Sequence, residues 1–202
     1  ALDTFQDTFQ TVTNYEVYKS ENWWFTSNDR KYPATPNLGW HGRTYGTDAY
    51  ISIAPYQSTQ TEVLAFAGTL LNVKAAANKT LAFQLAIYYQ TEDQSKLELV
   101  ASTDFAGDVT TATWEVVQDL TFPAASTMNE WKDYSVDLSK YADSDKVYVA
   151  WRYTGKSNTY RLDNVAFNAE ISDEPIVDQT SVSIPFVLDG TKGKEQIDTM
   201  DG

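Results

Sequence analysis

The stretch Leu81-Ala-Phe-Gln-Leu-Ala-Ile-Tyr-Tyr-Gln90 puts Leu81, Phe83, Leu85, Ile87 and Tyr89 on one side of an extended chain, and Ala82, Gln84, Ala86 and Gln90 on the other. Successive side chains of a strand point to opposite faces, so this period of two predicts a strand with one face on a core. Lys146-Val-Tyr-Val-Ala-Trp-Arg-Tyr153 repeats the pattern, with Val147, Val149, Trp151 and Tyr153 inward and Tyr148 and Arg152 outward. Shorter strands are expected over 49–53, 97–102, 113–120, 132–137 and 160–169, separated by turn formers at 91–95, 105–108 and 154–158. Helical patterning is sparse: 137–142 has room for one turn, and 70–77 reads either way. Short strands at this spacing predict an all-β fold, an antiparallel β-sandwich or jelly roll.

The 202 residues include six Trp, thirteen Tyr and nine Phe, and large rings suit pleated, half-buried surfaces. A formal net charge of −13 repels phosphate backbones and anionic lipid, which argues against nucleic acid and leaves uncharged glycans and cations as partners. The absence of cysteine excludes disulfides, thiolate zinc sites and thiol nucleophiles. No apolar run reaches the roughly 18 residues of a membrane-spanning helix, so no transmembrane segment is expected. The sequence opens Ala1-Leu-Asp-Thr-Phe5 without a signal peptide, which either was never there or lies upstream.

Several motifs follow one another in a telling order. Ser102-Thr-Asp-Phe-Ala-Gly107 leads to Ala112-Thr-Trp114, then come Trp131-Lys-Asp-Tyr-Ser-Val-Asp-Leu-Ser-Lys-Tyr141, Ala150-Trp-Arg-Tyr153 and Leu162-Asp-Asn-Val165. This order resembles the choice-of-anchor J jelly-roll domains and related surface lipoprotein domains of gut-type Gram-negative bacteria. The resemblance spans residues 5–167 and is most specific over 97–165. It departs from the group at Glu62-Val-Leu-Ala-Phe-Ala67, where an Asp-Trp-Leu-Ile-Ser-Pro strand is usual. It implies a concanavalin- or galactose-binding-like sandwich at the extracellular or outer-membrane surface of a Gram-negative bacterium. It implies an unassigned or glycan-related role and no particular catalysis, and it leaves room for a lipid anchor upstream.

The chemistry-bearing residues give little support to catalysis. His41 is the only histidine, no Gly-x-Ser-x-Gly elbow accompanies it, and it reads as a loop residue without a catalytic role. A glycoside hydrolase needs two carboxylates at a controlled separation, and the Glu-x-Asp-x-x-Glu strand usual in sandwich-fold glucanases has no match here: Glu92-Asp93 falls in an expected turn and Glu98 stands alone. Asn78-Lys-Thr80 is an N-glycosylation triplet of the kind that arises by chance.

Two binding possibilities stand out. Trp23, Trp24, Trp40 and Tyr45 crowd a polar, loop-rich region with Arg43, Asn22, Asn28 and Asp29. Exposed rings stack on pyranose faces while polar neighbours bond the hydroxyls, so Trp23, Trp24, Trp40, Arg43 and Tyr45 form the candidate ligand site. Rings that plug one end of a sandwich would read the same way, although Trp23 and Trp24 cannot both point inward from a regular strand. Asp7 and Asp163, on the opening and closing segments, are candidate ligands of a structural calcium, which takes hard oxygen donors. Trp114, Trp131 and Trp151 read as core. Tyr148 and Arg152, with Tyr88 as a counterpart, offer a second possible sheet face for ligand.

The organisation expected is a jelly-roll domain over 1–169 and an acidic extension, or the start of a second module, over 170–202. That extension has eight acidic residues against two lysines; within it, 181–188 has the pattern of an edge strand, limited by Pro185. The functional expectation is a non-catalytic extracellular module binding carbohydrate or a partner protein. The alternatives are a structural spacer of a multidomain surface lipoprotein and, less favoured, a glycoside hydrolase.

Overall fold

The computed structural model describes residues 1–90 and 94–171. Over these the protein is all-β, with two 3-10 turns at Pro36–Leu38 and Ser139–Tyr141. One antiparallel sheet has the order β2 (Trp24–Ser27), β5 (Val63–Leu71), β10 (Val147–Gly155), β7 (Lys96–Ser102) and β8 (Glu115–Asp119). The other runs β3 (His41–Tyr45), β4 (Asp48–Ile53), β11 (Thr159–Phe167), β6 (Thr80–Tyr88) and β9 (Lys132–Asp137), with β1 (Phe5–Asp7) also on β11. The strand expected over 181–188, the rest of the acidic extension from 172 onward and residues 91–93 lie outside the described residues.

Both patterned strands put their apolar sets between the sheets. Leu81, Phe83, Leu85 and Ile87 are buried against Val147, Val149, Trp151 and Tyr153, each fully buried apolar side chain stabilising the fold by about 1.5–3 kcal/mol. Trp151 of β10 stands edge-on to Phe83 of β6 at 5.2 Å, joining the layers. Tyr89 departs from the expectation. β6 stops at Tyr88, and Tyr89 takes a left-handed φ of 52°, which turns its ring out to solvent.

The two adjacent tryptophans divide between faces, as alternation demands. Trp23 packs inward on Phe5, Phe9 and Trp151. Trp24 lies on the outer face of its sheet, over Gly68 of β5, where an added Cβ would come within 2.2 Å of the indole. Residues 103–114 fold back over this face, and Phe105 stacks on Trp24 at 4.6 Å. Trp114 joins them, 5.3 Å from Phe66. Of the three tryptophans expected in the core, only Trp151 is there: Trp114 belongs to this outer cluster, and Trp131 leans on Tyr50 on the outside of the other sheet.

β11 has two partners along one edge. Residues 160–162 pair with β4, and 165–167 pair with β1. At the changeover the register against β6 shifts between Asp163 and Ala166, and Asn164 has a φ of 52°. Such a bulge re-aims side chains, and here it directs Asp163 and Asn164 into a gap between strands. β1 thereby closes the sheet, holding the opening segment of the chain against its last described strand.

Candidate ligand-binding site

The register of the six-stranded sheet sends His41 and Arg43 of β3, Ser52 and Tyr50 of β4, and Arg161 of β11 to one outer face. Tyr88 of β6, opposite Thr159, joins them. Where β11 begins, loops extend this face into a cleft of about 550 Å³ lined by Tyr15, Tyr56, Tyr89, His41, Arg43 and Lys156, among others.

Tyr15 is delivered by a loop that docks on the free edge of β3. Its N–H donates to the Gly42 carbonyl at 2.8 Å, and the Gly42 N–H donates to the Glu16 carbonyl at 2.7 Å. Gly42 permits this approach, since a Cβ there would sit 2.7 Å from both the Thr13 carbonyl oxygen and the Val12 Cβ. Tyr15 has a φ of 65°, a strained conformation for a side chain with a ring, of the kind that gathers at binding and catalytic sites. Its ring lies parallel to the His41 imidazole at 6.4 Å, with the Arg43 guanidinium 4.4 Å from its centre. Arg43 is fixed further by donating from Nε to Asn14 Oδ1 at 3.1 Å.

Tyr15, Tyr56 and Tyr89 expose 55%, 70% and 67% of their surface, so three of the four exposed tyrosines among the described residues converge on one cleft. Tyr89 meets Tyr88 edge-on at 4.3 Å, linking the cleft to the face beyond. Lys156 supplies a second positive charge and donates to the Gln60 carbonyl at 2.6 Å. None of the described lining residues is acidic.

His41 begins β3 instead of lying in a loop, and it is buried at the base of the cleft. Burial, aided by the Arg43 charge, pulls its pKa down to about 4 against the carbonyls of Gly39 and Pro36, which favour the charged ring. The imidazole is neutral at pH 7. Its Nδ1–H donates to the Gly39 carbonyl at 3.0 Å.

Of the expected ligand residues, only Arg43 lines this cleft. Trp23 and Trp40 are buried in the core and have no free face for a sugar. Trp24 is sandwiched on the opposite sheet, and Tyr45 stands exposed at the tip of β3. Packing is what the Trp23, Trp24 and Trp40 rings serve. Tyr148 and Arg152 lie on the outer face of the five-stranded sheet, whereas Tyr88 lies on the other sheet and is no counterpart to them. There Arg152 is neutralised by Glu98 at 2.8 Å.

Asp7 and Asp163 are neighbours through the β1–β11 pairing, but their carboxylates have different fates. Asp7 accepts from the Phe9 N–H at 2.7 Å, Trp23 Nε1 at 2.9 Å and the Tyr18 hydroxyl at 3.1 Å. Burial pushes its pKa up while these donors hold it down. With three protein donors on it, Asp7 fits a structural role, pinning β1 to the segment before β2, better than calcium ligation. Asp163 accepts only the Asn164 N–H, at 2.7 Å, and shares with Asp48 a polar cleft of about 270 Å³. Burial first, then the charges of Asp48 and Asp7, raise its pKa to about 7. Among the described residues no group of three or more His, Cys, Asp or Glu is placed to hold a metal ion. No ring lines this cleft to seat a sugar between the two carboxylates.

Sequence and architecture define an antiparallel β-sandwich domain of jelly-roll type. The chain belongs to the family described as a domain of unknown function, DUF5017, whose model matches residues 56–174. In structure it is similar to the K1 cleaved adhesin domain of Lys-gingipain from Porphyromonas gingivalis W83, with 17% identity and a TM-score of 0.58 over 83% of this chain and 98% of that one. The K2 cleaved adhesin domain of Lys-gingipain gives 16% identity and a TM-score of 0.55 over 81% and 97%. The K3 domain from the same organism gives 16% and 0.55 over 74% and 93%. These likenesses show the shared fold. The curated proteins contain no match to the sequence. Among the described residues no helix is long and apolar enough to cross a membrane.

Proposed function

We propose that the protein is a non-catalytic binding module at the surface of a Gram-negative bacterium, and that it holds carbohydrate in the cleft of Tyr15, Tyr56 and Tyr89. The observation that carries this is the convergence of three exposed rings, two of them on left-handed backbone, with fixed cationic and polar groups between them. Water-exposed rings placed at a conformational cost suit a ligand with apolar faces and a polar rim, which is the chemistry of a sugar. The Lys-gingipain domains of similar structure are adhesin domains, and the resemblance to choice-of-anchor J domains argues for a surface setting. Replacing Tyr56 by Ala removes a loop ring outside the core. It is expected to weaken saccharide binding about tenfold, or about 1.4 kcal/mol, with an unchanged thermal midpoint. Calorimetric titration against a saccharide panel measures this, and undiminished binding in a Tyr56→Ala, Tyr89→Ala pair would remove the cleft from the reading.

The second reading concerns Asp163. A carboxyl whose proton is held to about pH 7 by burial and like charges gains from a hard cation, which would rest on Asp48 and Asp163 with neighbouring amide and hydroxyl oxygens. Millimolar calcium is then expected to raise the thermal midpoint at pH 7, and Asp163→Asn to abolish the rise. A midpoint indifferent to calcium and chelator in the unaltered protein would dispose of the cation.

A further inference from the structure

We infer that the ligand of the tyrosine cleft is an acidic saccharide, its carboxylates received by Arg43 and Arg161; this rests on the carbohydrate reading and narrows it. Both arginines stand on the outer face of the six-stranded sheet, and both are immobilised by neutral partners only. Arg43 donates to Asn14 Oδ1 and lies over the Tyr15 ring. Arg161 donates from Nη1 to Asn129 Oδ1 at 2.5 Å, with its guanidinium 4.4 Å from the centre of the Tyr88 ring and 5.0 Å from that of Tyr50. The Nε of Arg161 is buried without a hydrogen-bond partner. Among the described residues neither arginine pairs with a carboxylate, whereas Arg152 on the opposite sheet is paired with Glu98.

A guanidinium presents its donors in a planar fork that matches a carboxylate. Ordering two such forks against ring faces and amide oxygens fixes their geometry without neutralising their charge, in a chain where acidic residues outnumber basic ones 28 to 15. The missing counter-charge is the one a ligand supplies. The two positions are continuous: Tyr89 in the cleft touches Tyr88, and Tyr88 carries Arg161. Thr159, two residues before Arg161 on β11, lines the cleft itself. Lys156 adds a third cation at the rim. The net charge of −13 opposes this only at long range, since screening confines it to about 8–10 Å in physiological salt, while the contacts are local.

The test uses the full chain and three carboxylate-bearing polysaccharides, polygalacturonate, alginate and hyaluronan, beside neutral galactan and methyl-esterified pectin, followed by calorimetry. At least one acidic polymer is expected to bind ten or more times more tightly than the neutral ones, with affinity falling as salt rises. Arg43→Gln, an edge-strand change that leaves the fold intact by its thermal midpoint, is expected to lose about tenfold on the acidic ligand alone. Arg161→Lys keeps the charge but not the fork, and is expected to lose a similar factor. Neutral polymers bound as tightly as acidic ones, with Tyr56→Ala still weakening them, would overturn the acidic preference and leave the carbohydrate cleft standing. No binding to any of the five would overturn both.

Discussion

His41 is the clearest instance of a residue whose surroundings, more than its type, decide its behaviour. Enclosed between Tyr15, Arg43 and the carbonyls of Gly39 and Pro36, it ionises near pH 4 instead of its ordinary 6.5. A folded-state pKa below the unfolded one means that the unfolded chain takes up the proton first. The contribution to stability is therefore complete above about pH 6.5 and is lost as the pH falls through 4. As the only histidine, it gives an unambiguous resonance. An NMR titration is expected to place its midpoint near 4, and His41→Gln to flatten the fall of the denaturation midpoint between pH 6.5 and 4. A midpoint near 6.5 would mean that water reaches the ring. Nothing local in Gly39-Trp-His-Gly-Arg43 announces this, because the burying ring comes from Tyr15, far along the chain.

At the level of strands and loops, period-two patterning was readable where one face meets the core and silent where both faces are covered. β6, β9 and β10 carry clean alternation, and they appear at or within two residues of the expected bounds. β5 is nearly all buried, because residues 103–114 cover its outer face around Phe66, so its sequence shows no polar side. The same cover takes up the Trp24 ring, which its sequence position alone leaves open to a ligand. An outward ring on a strand is exposed unless a remote loop returns over it, and that loop begins some 80 residues later. Gly68 is the hinge of this arrangement. Gly68→Ala drives a methyl into the Trp24 indole, and the overpacking is expected to cost about 1–3 kcal/mol and to raise the fluorescence contribution of a freed Trp24. Chemical denaturation measures the first, and an unchanged stability would show that Trp24 has room to move. The cleft tyrosines were missed for a matching reason. Tyr89 continues the apolar register of β6 in sequence, and only its left-handed backbone takes it out of the core.

Across the whole molecule, the sandwich was legible because many weak local signals agree, whereas the cleft was not, because it is assembled from six separated segments. Residues 15, 37, 41–43, 54–56, 89 and 156–159 meet only once β3, β4, β6 and β11 lie side by side. A total of −13 describes the average surface, and the face holding Arg43, Arg161 and Lys156 is local. The β1–β11 pairing has a further consequence. Phe5 sits opposite Phe167, and Thr4 bonds the Asn168 carbonyl at 3.0 Å, so the incoming chain and the end of the last described strand occupy one pole of the sandwich. Thr159, at the other end of the same strand, lines the cleft, eight residue steps or about 27 Å away. Any attachment made at that pole would leave the cleft at the far end of the sandwich, facing away from it.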